Sequence, residues 1–211
     1  MLVEEMLAWI DGADINTFIQ TPRVEFGTEQ VIDIGGGIND TVQTFWDQAR
    51  GWSCRRIGRI FDDRTISRRS VVGNSPYPER FGKLLGWTII HGLPGPMWLA
   101  PYVLDYMFGI ESDEEKEVVG IVHNSLHEVL NWLKGKADDL LKDTDIPESL
   151  LAYAEEIDIG REQLREFKGG DFRRLMITHE LYMCRSGNLA GLRRGMDVNL
   201  DGESLCEVCI Y

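Results

Sequence analysis

The sequence is poor in positive charge. It carries 22 lysine and arginine residues against 35 aspartate and glutamate residues, which gives a formal net charge of −13. Phosphate backbones and anionic lipid headgroups are bound by cationic surfaces, so this balance disfavours nucleic acids and membranes as partners. The field of an acidic chain suits a basic or neutral protein partner better.

Cysteines are few, and long apolar runs are missing. The spacing of Cys54, Cys184, Cys206 and Cys209 is not that of a disulfide framework, which indicates reduced thiols in a cytoplasmic or nuclear protein. No run of roughly 18 consecutive apolar residues, the length that spans a bilayer, occurs. The N-terminus has acids where a secretory signal has lysines, so we expect neither a signal peptide nor a membrane span.

The remaining composition is that of an ordinary globular protein, with 43% hydrophobic and 27% charged residues. A chain of 211 residues can bury roughly 70% of the surface that its unfolded form exposes, so it needs neither disulfides nor a metal to hold a core. Helical periodicity dominates the pattern. We predict a mainly α (α+β) fold, a single helix-rich domain over residues 1–211 with a minor β-hairpin element and no cofactor.

Two segments predict β structure. Residues 23–26 and 30–34 alternate and are β-branched, and residues 57–61 and 65–66 form a second strand pair. A basic cluster lies around the second pair and comprises Arg55, Arg56, Arg59, Arg64, Arg68 and Arg69. A solvated surface is the usual role of such a cluster, and a site for an acidic partner is the alternative.

One predicted helix is apolar on nearly every side. Residues 80–92, "RFGKLLGWTIIHG", therefore predict a buried helix. Gly82 and Gly86 are four residues apart and would let another backbone approach closely. A short helix then follows between Pro101 and Gly109, which are typical residues for the beginning and end of a helix.

The longest helical stretch covers residues 111–141. Ser112 and Glu115 have the spacing of a capping box at its beginning. Pro147 predicts the first position of the next helix, and Asp171 predicts the N-cap of a later one.

Residues 24–37, "VEFGTEQVIDIGGG", raise the question of a phosphate-binding loop. Such a loop needs a lysine after the glycines, or glycines at dinucleotide-binding spacing, and here Asp33 and Asp40 flank the glycines instead. We therefore favour a tight strand-to-helix turn over an anion site. In this turn the glycines would have positive φ, and Asn39 or Asp40 would cap the following helix.

A zinc site is conceivable from ligand type alone. His123 and His127 are four residues apart on a predicted helix, and Cys206 and Cys209 could complete a set of four ligands. Metalloprotease chemistry needs a glutamate directly after the first histidine, and Asn124 stands there. The two cysteines lack a matching second pair, so we favour the interpretation that these histidines and cysteines bind no metal.

A thiol nucleophile needs a nearby histidine in an electropositive, partly exposed setting. Cys184 follows His179 by five residues on one predicted helix, a spacing that does not bring the side chains face to face. A buried thiol is therefore favoured. No serine occupies a Gly-x-Ser-x-Gly elbow, and we assign no catalytic residue.

Three stretches, taken in order, resemble the N-terminal lobe of the catalytic domain of HECT-type ubiquitin ligases. They are "VEFGTEQVIDIGGGINDTVQTFW", "RFGKLLGWTIIHGLPGPMWLAPYVLDYMFG" and "DFRRLMITHELYMCRSGNLAGLRRGMDVN". Asp33, Gly35 and Gly36 match the family's acid-x-Gly-Gly turn, and Asp40 stands where the family usually has glutamate. The resemblance covers residues 20 to 205.

The resemblance implies a helical lobe that docks a ubiquitin-conjugating enzyme through a small subdomain, here residues 110–168. A separate C-terminal lobe, outside this sequence, would carry the cysteine that passes ubiquitin to a protein substrate. Transfer is therefore implied only together with that lobe, and Cys206 and Cys209 lie too early to be the acceptor. The docking region is short, so weak or lost binding is expected, with Leu150, Leu151 and Tyr153 as an exposed contact surface.

Two further functions are compatible with the same residues. A non-catalytic interaction or scaffold protein could keep the fold without the chemistry, and the short docking region favours it. A zinc-dependent enzyme would require the histidines and cysteines discussed above to converge.

Overall fold

The computed structural model describes the following residues: 2–20, 36–54, 58–68, 75–111, 118, 124–142, 146–197, 199–200 and 203–204. The chain divides into two compact units, of which the first combines residues 1–112 with residues 185–211. The second, residues 113–184, is inserted in the chain between these two parts, and we call it the inserted unit. It contains the predicted 110–168 subdomain from residue 113 onward and continues to residue 184.

The first unit contains six of the described α-helices and three antiparallel strand pairs. The helices are α1 (Leu2–Gly12), α2 (Ile15–Ile19), α3 (Gly36–Gly51), α4 (Tyr77–Ile90), α5 (Pro101–Phe108) and, after the insertion, α10 (Ser186–Met196). The strands are β1 (Ser53–Cys54), β2 (Gly58–Arg59), β3 (Phe61–Asp62), β4 (Thr65–Ile66), β5 (Asn199–Leu200) and β6 (Glu203–Ser204).

The inserted unit is helical. Its described helices are α6 (Asn124–Gly135), α7 (Glu148–Glu156), α8 (Arg161–Leu164) and α9 (Gly169–Leu181). The 3₁₀ turn Met183–Arg185 follows α9. The predicted mainly α fold with a minor β element is therefore confirmed. Within the described ranges, no helix has both the length and the apolarity needed to cross a bilayer.

The β3–β4 hairpin lies close to its predicted position. Phe61 pairs with Ile66, and Asp62 pairs with Thr65. Asp63 turns the chain with a φ of 47°, a conformation that aspartate tolerates better than most residues. The predicted strands at residues 23–26 and 30–34 lie outside the described residues.

The core of the first unit is built on α4. Helix α10 packs against it so closely that an added Cβ at Gly82 would overlap the carbonyl oxygen of Leu192. A Cβ at Gly195 would overlap the carbonyl oxygen of Glu79, and one at Gly191 would lie 2.7 Å from the Pro78 side chain. The close backbone approach predicted at Gly82 is confirmed.

Helix α3 supplies the aromatic part of this core. Its apolar face, Val42, Phe45, Trp46 and Ala49, is buried. The ring of Phe81 on α4 lies 6.1 Å from Phe45 and 5.0 Å from Phe61, between centroids. These contacts join α3, α4 and the β3–β4 hairpin around one cluster of rings.

The beginning of α3 differs from the prediction. The helix already starts at Gly36, so Asn39 and Asp40 lie exposed inside it and neither is its N-cap. Positive φ occurs among the described glycines at Gly58, Gly92 and Gly109, and not at Gly36. The Thr41 hydroxyl donates to the Gly37 carbonyl at 2.7 Å, the local bond that a helical first turn permits. Asp33 and Gly35, the remaining residues of the predicted turn, lie outside the described residues.

Several other helix ends agree with the sequence. Helix α5 begins at Pro101, and Gly109 ends it with a φ of 70°. Gly92, with a φ of 61°, follows α4. Pro147 is the N-cap of α7, one position before the predicted one. Ser112 and Glu115, the predicted capping box, lie outside the described residues.

Asp171 is not the N-cap of α9. The helix begins two residues earlier, and Lys168 occupies the cap position. The first amides are instead satisfied by a loop, because Gly169 N–H donates to the Asp139 carbonyl at 3.0 Å and Gly170 N–H to the Ala137 carbonyl at 2.9 Å. Since a helix start needs partners for these amides, the loop replaces the predicted side-chain cap.

Candidate functional site

The predicted contact surface lies on α7 of the inserted unit. Leu150 and Tyr153 are buried, with 0% and 4% of their surface exposed, and Leu151 is half-buried. The prediction that these side chains are exposed is therefore wrong for Leu150 and Tyr153. The physical reason is helical spacing, because residues 150, 153 and 154 share one face and that face packs inward.

A partner-binding role for Leu150, Leu151 and Tyr153 stays a prediction. Of the three, Leu151 offers part of its side chain to a partner in this arrangement. The other two hold α7 in the unit, so substituting them would test folding before it tested binding.

Tyr153 joins a buried polar cluster. Its hydroxyl oxygen lies 2.9 Å from Nδ1 of His179, 3.0 Å from Oε1 of Glu180 and 3.4 Å from the carbonyl oxygen of Met176. Glu180 is 3% exposed, and its Oε1 lies 3.7 Å from Nδ1 of His179. The cluster connects α7 to α9.

A phenol, an imidazole and a carboxylate are groups that can move protons in an active site. Here Tyr153 and Glu180 are both buried, whereas a substrate must reach the groups that act on it. Buried polar groups are retained when hydrogen bonds satisfy them. This geometry favours a structural role, in which the hydroxyl of Tyr153 satisfies the carboxylate of Glu180.

A second feature of the inserted unit is the segment after α6, residues 136–142, which is hydrogen-bonded to the beginning of α9 and to the residues just before it. In addition to the two bonds from Gly169 and Gly170, Leu141 N–H donates to the Phe167 carbonyl at 3.1 Å. An added Cβ at Gly169 would overlap the Lys136 carbonyl oxygen, and one at Gly170 would lie 2.9 Å from the Ala137 carbonyl oxygen. The two glycines therefore allow the loop to lie directly on the beginning of α9.

A groove of about 270 Å³ opens beside this loop, and we call it the 132–142 groove. It is lined by Trp132, Lys136, Asp139, Leu140, Leu141 and Lys142. Leu141 is buried beneath it, whereas Leu140 is 53% exposed. The volume is near the lower end of the usual range for ligand clefts, roughly 300 to 1,000 Å³, so the groove suits one or two side chains of a partner.

The described thiols lie in different settings from that of an activated nucleophile. Cys184 donates its thiol proton to the Glu180 carbonyl at 3.4 Å. Cys54 is half-buried beside Tyr77, where burial raises the pKa of the Tyr77 phenol and the Cys54 thiol adds to the rise. Neither thiol has the cationic neighbour that would favour a thiolate among the contacts described for it.

The zinc hypothesis rests largely on residues that the structure does not describe. His123, Cys206 and Cys209 lie outside the described ranges, and His127 is half-buried on α6. Among the residues that are described, no three His, Cys, Asp or Glu side chains converge as metal ligands would. The combined site stays a prediction.

The basic cluster is described in part. Arg59 and Arg64 are exposed, and Arg68 is half-buried, while Arg55, Arg56 and Arg69 lie outside the described residues. The exposure of the first two agrees with a solvated surface. A site for an acidic partner at this cluster stays a prediction.

Sequence reasoning missed both features of the inserted unit. A local signal for the 132–142 groove is the pair of leucines, Leu140 and Leu141, after the glycine that ends α6, because consecutive side chains of an extended backbone point to opposite sides. For the polar cluster the signal is Glu180, which falls on the buried face of α9 together with Met176 and Ile177.

The comparisons with known proteins add no relative. No protein-family model, curated protein or solved structure matches this chain. The resemblance to HECT-type ligases therefore stays a prediction from the three sequence stretches.

Proposed function

We propose that this chain is a partner-docking module of the HECT N-lobe type, whose inserted unit binds a ubiquitin-conjugating enzyme. Ubiquitin transfer to a protein substrate would require a C-terminal lobe that carries the acceptor cysteine. The three stretches in the family's order support this proposal, and the chain's deficit of positive charge favours a protein over a nucleic acid as partner.

One observation carries the proposal. Residues 113–184 form a compact unit inserted in the first unit, and docking in the family is assigned to a small subdomain in this part of the chain. The inserted unit has four described helices and its own buried leucines and aromatic residues. It extends beyond the end of the predicted 110–168 subdomain, to residue 184.

The ubiquitin-transfer reaction itself is assigned to the separate C-terminal lobe. Covalent transfer needs a thiolate beside the donor thioester, and the resemblance implies that the acceptor cysteine belongs to the separate C-terminal lobe. The proposed module binds and positions, and a separate lobe performs the reaction.

A non-catalytic scaffold is the second candidate. The burial of Leu150 and Tyr153 favours it, because two of the three predicted docking side chains hold the fold instead of facing a partner. A scaffold would retain both units and bind other proteins.

An NMR titration of residues 1–211 with a panel of ubiquitin-conjugating enzymes tests the proposal. We expect saturable amide shifts confined to residues 113–184. Leu151→Asp should weaken this binding, whereas Ile19→Asp, a matched change at an exposed apolar residue of the first unit, should not. The absence of shifts across the panel would favour the scaffold.

A further inference from the structure

We propose that the 132–142 groove binds a linear acidic segment of a partner protein. An apolar side chain of that segment would lie between Trp132 and Leu140, and its acidic neighbours would face Lys136 and Lys142. This site goes beyond the docking of a conjugating enzyme and does not depend on it.

The groove is pre-organised by the backbone. Its loop is held by the bonds from the amides of Gly169, Gly170 and Leu141, all between 2.9 and 3.1 Å. Leu140 is also bridged to Lys168 in an antiparallel pair. A binding surface that is already ordered loses less conformational entropy when it binds a ligand.

The apolar part of the groove is an exposed leucine beside an indole. Leu140 is 53% exposed although its backbone forms a β-bridge with Lys168, so its side chain faces solvent while its backbone is paired. Trp132 is half-buried at the end of α6 and Leu141 is buried. Aromatic side chains of this kind supply much of the binding energy at protein interfaces.

The charge of the groove selects the partner. Acidic residues outnumber basic ones across residues 113–184, yet the groove is lined by two lysines and one aspartate. It is therefore locally cationic on an acidic unit. An acidic segment would be attracted at the groove, whereas a basic segment would meet the ammonium groups of Lys136 and Lys142.

The two remaining anionic candidates fit less well. A nucleic acid carries a negative charge at every phosphate and needs many cationic contacts to bind, whereas the groove offers two lysines. A small anion alone would leave Trp132 and Leu140 uncovered. A peptide segment uses both the lysines and the apolar side chains.

The test is selection from a library of random dodecapeptides displayed on phage, with residues 1–211 as the immobilised target. We expect enrichment of peptides that place acidic residues next to an apolar one. The enriched peptides are then synthesised, labelled and titrated by fluorescence anisotropy, and amide shifts in residues 132–142 should mark their site.

Charge reversal provides the decisive comparison. The double variant Lys136→Glu with Lys142→Glu should weaken peptide binding about tenfold or more. The matched double variant Arg161→Glu with Arg174→Glu changes the net charge equally at two exposed positions outside residues 132–142, and should weaken it less than about twofold. Thermal melts followed by circular dichroism verify that both variants fold.

Three results would overturn the inference. The first is enrichment of basic or uncharged peptides, or of none. The second is an equal loss of binding in the two double variants, because a general field effect would then explain it. The third is amide shifts outside residues 132–142, or a labelled oligonucleotide that binds these residues while no peptide does.

Discussion

At the scale of single residues, Tyr153 joins three polar groups of α9 through one hydroxyl. The phenol proton can be donated to only one of them at a time. Of the other groups, the His179 ring can donate to the phenol oxygen when its Nδ1 carries the proton, whereas the Met176 carbonyl can only accept. Glu180 gains most from the contact, because a buried carboxyl group has lost its water and each hydrogen bond that it makes offsets part of that loss.

Tyr153→Phe should therefore destabilise the protein by about 1–3 kcal/mol. The ring keeps its packing, and the loss comes from the missing hydroxyl. Chemical denaturation of the variant, of Glu180→Gln and of the double variant measures the coupling between the two residues. Strictly additive effects would contradict the hydrogen bond between them.

Asp14 is a second residue with a specific electrostatic role. It is the N-cap of α2 and accepts a bond from the Thr17 amide at 2.7 Å. This bond holds the pKa of the Asp14 carboxyl below its ordinary range, since it favours the charged form.

The sign of the pH effect follows from that shift. A carboxyl whose pKa is lowered on folding stabilises α2 above the unfolded pKa, about 3.9 for aspartate, and this stabilisation is lost as the pH falls through the lower, folded pKa. The amide shift of Thr17 should therefore titrate with a midpoint below 3.9. Asp14→Asn should abolish that titration, and a midpoint above the ordinary value would contradict the cap.

At the scale of elements, glycines decide where two backbones can touch. Gly82 and Gly195 lie at the crossing of α4 and α10, where the carbonyl oxygens of Leu192 and Glu79 occupy the space of a Cβ. Gly169 and Gly170 likewise allow the beginning of α9 to contact the loop that carries the 132–142 groove. Glycine weakens an isolated helix, so close packing is the compensating gain.

Gly195→Ala should destabilise the first unit by about 1–3 kcal/mol, because the helices must move apart. Gly36→Ala is the matched control, since Gly36 is exposed at the start of α3 with no atom within 4 Å of an added Cβ. Alanine there should be neutral or stabilising by up to about 1 kcal/mol. Melting temperatures of the two variants test both expectations, and equal destabilisation would contradict the distinction between them.

At the scale of the whole molecule, the inserted unit divides the first unit in sequence. The first unit is completed by α10, which follows the insertion and packs on α4. Its core therefore depends on contacts between residues that are far apart in the chain. The inserted unit is built from segments that are neighbours in the chain. Such a contiguous unit typically unfolds and refolds cooperatively, as one part of the protein.

The two units should respond separately to substitution. Gly169→Ala should lower the hydrogen-exchange protection of amides in α6 and α9 and leave those in α4 and α10 unchanged. Gly195→Ala should do the reverse. Exchange measured on the whole chain by mass spectrometry or NMR provides the test, and loss of protection in both units from either variant would show one cooperative fold.

Local chemistry was sufficient for much of the fold. The apolar face of α3, the nearly all-apolar surface of α4, the bounds of α5 at Pro101 and Gly109, and the β3–β4 hairpin follow from periodicity and turn residues. These features depend on neighbours in sequence. The close approach at Gly82 was also predictable, since a glycine in an apolar helix has few other uses.

Tertiary contacts decided the rest. The sequence of α7 shows an apolar face but not which other element covers it, so Leu150 and Tyr153 were expected on the surface and lie in the core. Asp171 is not the N-cap of α9, because the backbone carbonyls of residues 137 and 139 accept from the first amides of the helix instead. No local sequence pattern reveals these partners. The 132–142 groove exists only because a loop from one part of the inserted unit is held against a helix that begins 27 residues after Lys142. The helical class, the excess of acidic residues and the apolar faces of the helices follow from the sequence, because they are local properties. Which of those faces is buried, and where the 132–142 groove forms, depends on contacts between segments that are distant in the chain.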